Sequence, residues 1–301
     1  MRPRYKTENG QRLIYESYDR LLAGLSVPLE QQNIPTTYGI THIITAGSSE
    51  NPPLLLLHGT GDNAAMMWVY NMEELSQAFY VIAIDKIGGS GKSEPNDNYS
   101  QPFDQAKWLD EILEALRINS VYIAGVSYGA YLAYHYALMR PDRVEKIVCM
   151  AGSIAGSQLE VISKMMKAFL PEALFPSERN ARKLLRKLCG PQIAPFEEHP
   201  ELMQYWIYLL KFFNNASMRH HKITIFPAED FRVIRHKALF LIGDQDMLSN
   251  YPKAIHRLID YGMIYRIVKD AGHAINHEQP EIIHRAIQQF CLGNNDTQNT
   301  M

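Results

Sequence analysis

Three side chains of this 301-residue chain stand where acyl-transfer chemistry would need them. Gly125-Val126-Ser127-Tyr128-Gly129 follows an apolar run and opens a helical segment, 130–140, that ends at Pro141. A serine hydroxyl is a weak nucleophile unless it projects clear of its backbone toward a base, which a tight strand-to-helix turn achieves. Gly125 and Gly129 supply the room for such a turn. Further on, Gly243-Asp244-Gln245-Asp246 closes another apolar run, and Ala271-Gly272-His273 follows the next one. A histidine there would take the serine proton and hand it to the leaving group, and an acid would fix its tautomer and stabilise the imidazolium. Asp246 sits further beyond its strand than Asp244, so Asp246 is expected to reach His273 while Asp244 braces the loop.

A fourth element completes the set. Leu57-His58-Gly59-Thr60-Gly61 also follows directly on an apolar run. Acyl transfer develops negative charge on the carbonyl oxygen, and preorganised backbone donors there are worth about 3–4 kcal/mol each. The amides of Thr60 and Tyr128 are the expected oxyanion hole, with His58 a structural hydrogen-bonder behind the loop.

The elements that must position these groups are legible as short apolar runs alternating with helical patterns. Runs at 54–57, 80–84, 121–124, 146–150, 238–242 and 263–268 read as strands buried on both faces, and so as a largely parallel sheet covered by helices. Segments 34–38 and 40–45, joined at Gly39, read as an antiparallel hairpin at the sheet edge. Helical periodicity marks 11–25, 103–117 and 280–290. Between about 153 and 234 the alternation lapses into helical segments rich in Met and aromatic residues, expected to form an inserted helical cap. The expected organisation is therefore a first core part at 1–152, a cap at 153–234, a second core part at 235–293 and a frayed polar tail at 294–301.

Composition narrows the partners. A net charge of -2 provides no basic field for nucleic acid or anionic lipid, which leaves a small molecule as the expected partner. Three scattered cysteines are neither a disulfide framework nor a paired-thiolate zinc site, and with no apolar leader or membrane span in view a cytoplasmic setting is expected.

Three motifs compete with the serine chemistry. Gly59-Thr60-Gly61-Asp62-Asn63-Ala64, with Asp85 ending the next strand, fits a dinucleotide fingerprint, but His58 crowds its turn and Ser127, Asp246 and His273 would stay unexplained. Gly88-Gly89-Ser90-Gly91-Lys92-Ser93 suggests a phosphate loop, yet Lys86 occupies the place of its first glycine and Glu94-Pro95 follows instead of a helix. His273 and His277 have the spacing of a helical zinc pair, but Ala274 stands where a glutamate base belongs. No cofactor and no metal is therefore expected.

With HGTG, DKIGGSGKS, GVSYG, GDQD and AGHAINHEQPE in this order, the chain resembles the α/β-hydrolase superfamily across nearly its whole length. The N-terminal helix, the TTYGITHIITAG hairpin and the helical insertion resemble bacterial carboxylesterases of the naproxen-esterase type. That resemblance implies an α/β-hydrolase fold with Ser127 as nucleophile, Asp246 as acid, His273 as base and Thr60 with Tyr128 as oxyanion amides. Cleavage of a small ester is the activity implied. Other acyl bonds on the same triad, or ligand sensing without turnover, are the alternatives. One departure concerns the acid loop, where Met247-Leu248-Ser249-Asn250 replaces the family's frequent proline.

Overall fold

The computed structural model describes residues 2–170, 172–191 and 193–293; the tail expected at 294–301 lies outside the described residues. Its centre is one sheet made of β1 (Leu29–Thr36), β2 (Gly39–Ala46), β3 (Pro53–Leu57), β4 (Tyr80–Ile84), β5 (Glu94–Pro95), β6 (Val121–Val126), β7 (Val144–Met150), β8 (Ala238–Gly243) and β9 (Ile264–Val268). The order is β1-β2-β4-β3-β6-β7-β8-β9, with β5 added to β2. From β4 to β9 every neighbouring pair is parallel, and β1 and β2 form the antiparallel edge.

Side chains alternate across a strand, and in β3 this sends Leu54 and Leu56 to one face and Leu55 and Leu57 to the other, all four fully buried. On the first face the helices Glu8–Ala23 and Pro280–Leu292 contribute Ile14, Tyr18, Ile283 and Ile287. On the second, the helices Gln105–Ala115 and Tyr128–Met139 contribute Trp108, Ile112, Leu132 and Tyr136. Such double coverage is what lets the central strands be apolar throughout.

Two edges depart from the sequence expectation. β9 is not buried on both faces: among the described residues it is the outer strand of its side of the sheet, and Tyr265, Arg266 and Ile267 remain partly or fully exposed. β1 begins at Leu29, five residues before the expected start, since an edge strand with accessible faces needs no apolar alternation in Leu29-Glu30-Gln31-Gln32-Asn33. Gly39 starts β2 instead of forming the turn, and its φ of 129° favours glycine. The turn lies at Thr37–Tyr38, and a Cβ on Gly39 would stand 2.1 Å from the Glu94 carbonyl oxygen where β5 crosses β2.

Between β7 and β8 lie the helices Gln158–Phe169, Glu178–Leu188, Ala194–Glu197 and Pro200–Phe212. The last packs on the N-terminal helix so closely that a Cβ on Gly10 would meet Phe212 at 2.6 Å.

The closest approach of backbone to a glycine sits where the helix Tyr128–Met139 starts, for a Cβ on Gly129 would stand 2.0 Å from the Leu57 carbonyl oxygen. Gly129→Ala is therefore expected to destabilise the fold by well over the ~1 kcal/mol of an average substitution. Gly24→Ala is the control: it has ordinary αR backbone and a nearest contact of 3.4 Å, and should be near neutral. Urea midpoints measure both, and equal midpoints would show that the elbow can yield.

Candidate active site

Ser127 stands between β6 and the helix Tyr128–Met139 with φ 56° and ψ -114°, outside the regions open to most L-residues. Its neighbours explain how this is held. The Ser127 amide donates to the Met150 carbonyl at 2.8 Å, and Gly125 and Gly129 approach so closely that a Cβ on Gly125 would stand 2.2 Å from the Gly129 carbonyl oxygen. The hydroxyl thereby projects over the carboxyl ends of the parallel strands, where open α/β sheets place their sites.

Asp246 and His273 come to the same place from the loops after β8 and β9. Ser127 Oγ lies 3.0 Å from His273 Nε2, and His273 Nδ1 lies 3.0 Å from both carboxylate oxygens of Asp246. A carboxylate only accepts, so Nδ1 carries the proton and Nε2 is left to accept from the serine. Asp246 is fully buried and is oriented by the amides of Leu248 at 2.9 Å and Ser249 at 3.3 Å. The run without proline thus still closes on the carboxylate through its own backbone. Asp244 turns elsewhere, accepting the Ala271 amide at 3.3 Å and lying 3.8 Å from Lys269.

Burial opposes a charged imidazolium at His273, but the Asp246 carboxylate, its hydrogen bond and the more distant Glu278 outweigh it and raise the pKa. Glu278 itself is pushed up to about 7 by burial, against the amides of Gly272 and Gly190 that it accepts at 3.0 and 2.6 Å. It ties the histidine loop to the end of the helix Glu178–Leu188. His273 adds to this clasp by donating its own amide to the Leu188 carbonyl at 2.7 Å.

Thr60 and Tyr128 flank Ser127, and Thr60 borders two cavities that also share Ser127, Met165 and His273. One, of about 80 Å³, is apolar, walled by Met66, Met67, Phe169, Phe196 and Trp206. The other, of about 160 Å³, has a more polar wall containing Tyr131, Glu160, Lys164 and Tyr251. A larger groove of about 700 Å³ beside Arg20 and His199 shares no residue with either.

The competing motifs bind their own chain. Asp85 accepts the Ala64 and Lys92 amides at 2.8 Å each and the Tyr18 hydroxyl at 2.9 Å, and a Cβ on Gly91 would collide with its carboxylate. Both the nucleotide-like and the phosphate-like glycine segments therefore wrap one buried carboxylate. His277 Nε2 lies 2.9 Å from the Met66 carbonyl oxygen, and burial lowers its pKa to about 4. No cluster of metal-ligating side chains occurs among the described residues. His58 lies behind its loop, with Nδ1 on the Gly59 carbonyl at 2.9 Å and Nε2 accepting the Lys86 amide at 3.1 Å.

Two residues near the site escaped the sequence reading. Glu278 ends the short helix Ile275–Glu278 just before Pro280, and nothing in its neighbours marks it as buried. Lys86 follows an apolar strand and reads as a solvated turn residue, yet it is fully buried. Burial draws its pKa down to about 7, with Asp62 and Asp85 holding it up.

A parallel sheet ending in a strained serine, a carboxylate-oriented histidine and adjacent loop amides defines a hydrolase built on the α/β scaffold. The alpha/beta hydrolase fold family matches residues 52–280, and the chain belongs to it. Among its relatives, carboxylesterase YbfK of Bacillus subtilis is 27% identical over 95% of each chain. A second Bacillus subtilis protein, named an uncharacterized carboxylesterase nap, is 25% identical over 94% of this chain and 93% of its own. The crystal structure of naproxen esterase from Bacillus subtilis superposes with a TM-score of 0.81 at 22% identity, covering 95% of this chain and 99% of that one. Among the described residues no helix is long and apolar enough to cross a membrane.

The electrostatics give a direct test. His273 should titrate above the ordinary imidazole value of 6.5, because the charged form is the one Asp246 favours. In Asp246→Asn that attraction is lost, burial is left to dominate, and the pKa should drop below 6.5. Imidazole NMR reads both, with His277 as an internal reference near 4. A titration unmoved by Asp246→Asn would refute the assigned cause.

Proposed function

We propose that this chain is a serine carboxylesterase that cleaves small esters through an acyl-enzyme. The observation that carries the proposal is the unbroken chain from Ser127 Oγ to His273 to Asp246, each step 3.0 Å. Ser127 Oγ attacks the acyl carbon as His273 Nε2 takes its proton, and the oxyanion is received by the amides of Thr60 and Tyr128. His273 then returns the proton to the departing alkoxide, and a water activated by the same imidazole attacks the acyl carbon to release acid and free serine. Asp246 stays ionised throughout, fixing the tautomer.

In this proposal the segment 153–234 serves as the cap. Its Met165, Phe169 and Trp206 wall the small apolar cavity, which suits the acyl group, and the wider cavity with tyrosines, Glu160 and Lys164 suits the alcohol side. The carboxylesterase names of the two Bacillus subtilis relatives, aligned over nearly the full length, support the same bond type. Three buried, unpaired cysteines suit a reducing cytoplasm, the compartment we assign.

Ser127→Ala is expected to lower kcat on a short-chain aryl ester by about a million-fold, as for other serine nucleophiles. In the wild type, kcat/KM should fall as the pH drops through the raised pKa of His273, because only the neutral imidazole accepts the serine proton. Stopped turnover assays across pH check both points. A folded alanine variant that kept its turnover would end the proposal.

A further inference from the structure

Lys86 is fully buried, and its ammonium faces three partners. Nζ donates to the His58 carbonyl at 2.8 Å and to the Gly59 carbonyl at 2.7 Å, and it lies 4.9 Å from the centre of the Tyr128 ring. An ammonium has three donors, and each of these partners can take one.

The second of those carbonyls matters for chemistry. The Gly59 carbonyl and the Thr60 N–H belong to one planar trans peptide, so they point in opposite directions. With the carbonyl held by Lys86 Nζ on one side, and by His58 Nδ1 at 2.9 Å, the Thr60 N–H is turned to the other. The loop lies against the nucleophile, for a Cβ on Gly59 would stand 3.4 Å from Ser127 Cβ. Tyr128, whose amide is the other expected oxyanion donor, has its ring on the same ammonium and its hydroxyl fixed to Gln105 Oε1 at 2.7 Å. One cation therefore touches both halves of the oxyanion hole, the loop after β3 and the turn after β6.

We propose that Lys86 is a positioning residue of the oxyanion hole, locking the Gly59–Thr60 peptide and the Tyr128 turn in register and placing positive charge behind the developing oxyanion. The proposal rests on the esterase reading above. Charge-assisted bonds to the Gly59 carbonyl would also polarise the peptide and strengthen the Thr60 N–H as a donor. The effect belongs to the transition state rather than to ground-state binding.

Lys86→Met keeps the length of the stem and removes the donors and the charge. The expected result is a kcat about 10- to 100-fold lower with KM within about threefold, a smaller loss than the ~100- to 1,000-fold from deleting a direct oxyanion donor. The same factor should appear in the rate at which a fluorophosphonate labels Ser127. That reaction forms an Oγ–P bond and expels fluoride while His273 takes the proton, with the phosphoryl oxygen in the oxyanion position. Lys86→Gln, able to donate to one carbonyl, should fall between, and it carries the test if the methionine variant does not fold.

Equal labelling rates in folded wild-type and variant proteins overturn the proposal. So does a rate loss that merely tracks a lowered urea midpoint, or failure of both variants to fold, since a purely structural lysine would behave that way. A wild type that labels at Ser127 but turns over no ester would sink the esterase reading while leaving the labelling comparison decisive. A wild type that does neither overturns both.

Discussion

The position of Ser127 depends on a backbone conformation that few L-residues tolerate, at a cost of about 1–3 kcal/mol, and the surrounding strands and helix are packed to hold it. The amide of Ser127 is bonded to β7 through Met150, Gly125 stacks on Gly129, and Gly129 lies under the carbonyl of Leu57 at the end of β3. Three adjacent parallel strands thus meet at one turn with no side chain between their backbones. Gly152 extends the pattern, since a Cβ there would meet Ala130 at 2.6 Å. The parallel sheet is in this sense a jig: registering β3, β6 and β7 edge to edge is what puts a hydroxyl in the open and an amide beside it.

Onto that frame the chain adds buried charge, much of it satisfied by backbone. Asp85, Lys86 and Glu278 each take partners from another loop and so serve as cross-links, whereas Asp246 is held by the amides of its own loop. Asp85 gathers the Ala64 and Lys92 amides, Lys86 the carbonyls of His58 and Gly59, Asp246 the amides of Leu248 and Ser249, and Glu278 those of Gly190 and Gly272. A buried charge stripped of such partners is strongly destabilising. The loops that carry the chemistry are consequently held by groups whose own burial would otherwise be costly.

How much of this was legible in the sequence follows from which forces leave a local trace. The central strands, the turn around Ser127 and the order of serine, acid and histidine are written in contiguous residues, because double burial demands apolar runs and the turn demands its glycines. Edge strands leave no such trace: β1 extends into Leu29-Glu30-Gln31-Gln32, and β9 carries Arg266, since an edge face need not be apolar. Lys86 and Glu278 were invisible for a different reason. Their partners are His58 and Gly59 across one loop and Gly190 and Gly272 across another, and nothing in a linear string says that a lysine after a strand turns inward. The glycine motifs that imitated nucleotide and phosphate sites misled in a related way, because a loop folded over a carboxylate and one folded over a phosphate both need backbone without side chains.

The helical segment between β7 and β8 is joined to the candidate site where a cavity wall and the histidine loop share residues. Leu188 walls the apolar cavity and its carbonyl holds the His273 amide, while Gly190, two residues on, meets Glu278 and packs against Gly272 with room for no side chain. The helix Gln158–Phe169 is fastened differently, by the Glu160 carboxylate to Arg257 at 3.0 Å and by Arg257 in turn to the Ile154 carbonyl at 2.6 Å. Met165 and Phe169 on this helix therefore border the cavity on an element that does not touch the histidine loop through its backbone. Side-chain volume can change on that wall without moving the imidazole, whereas a shift of the Leu188 wall pulls on the backbone of His273 itself.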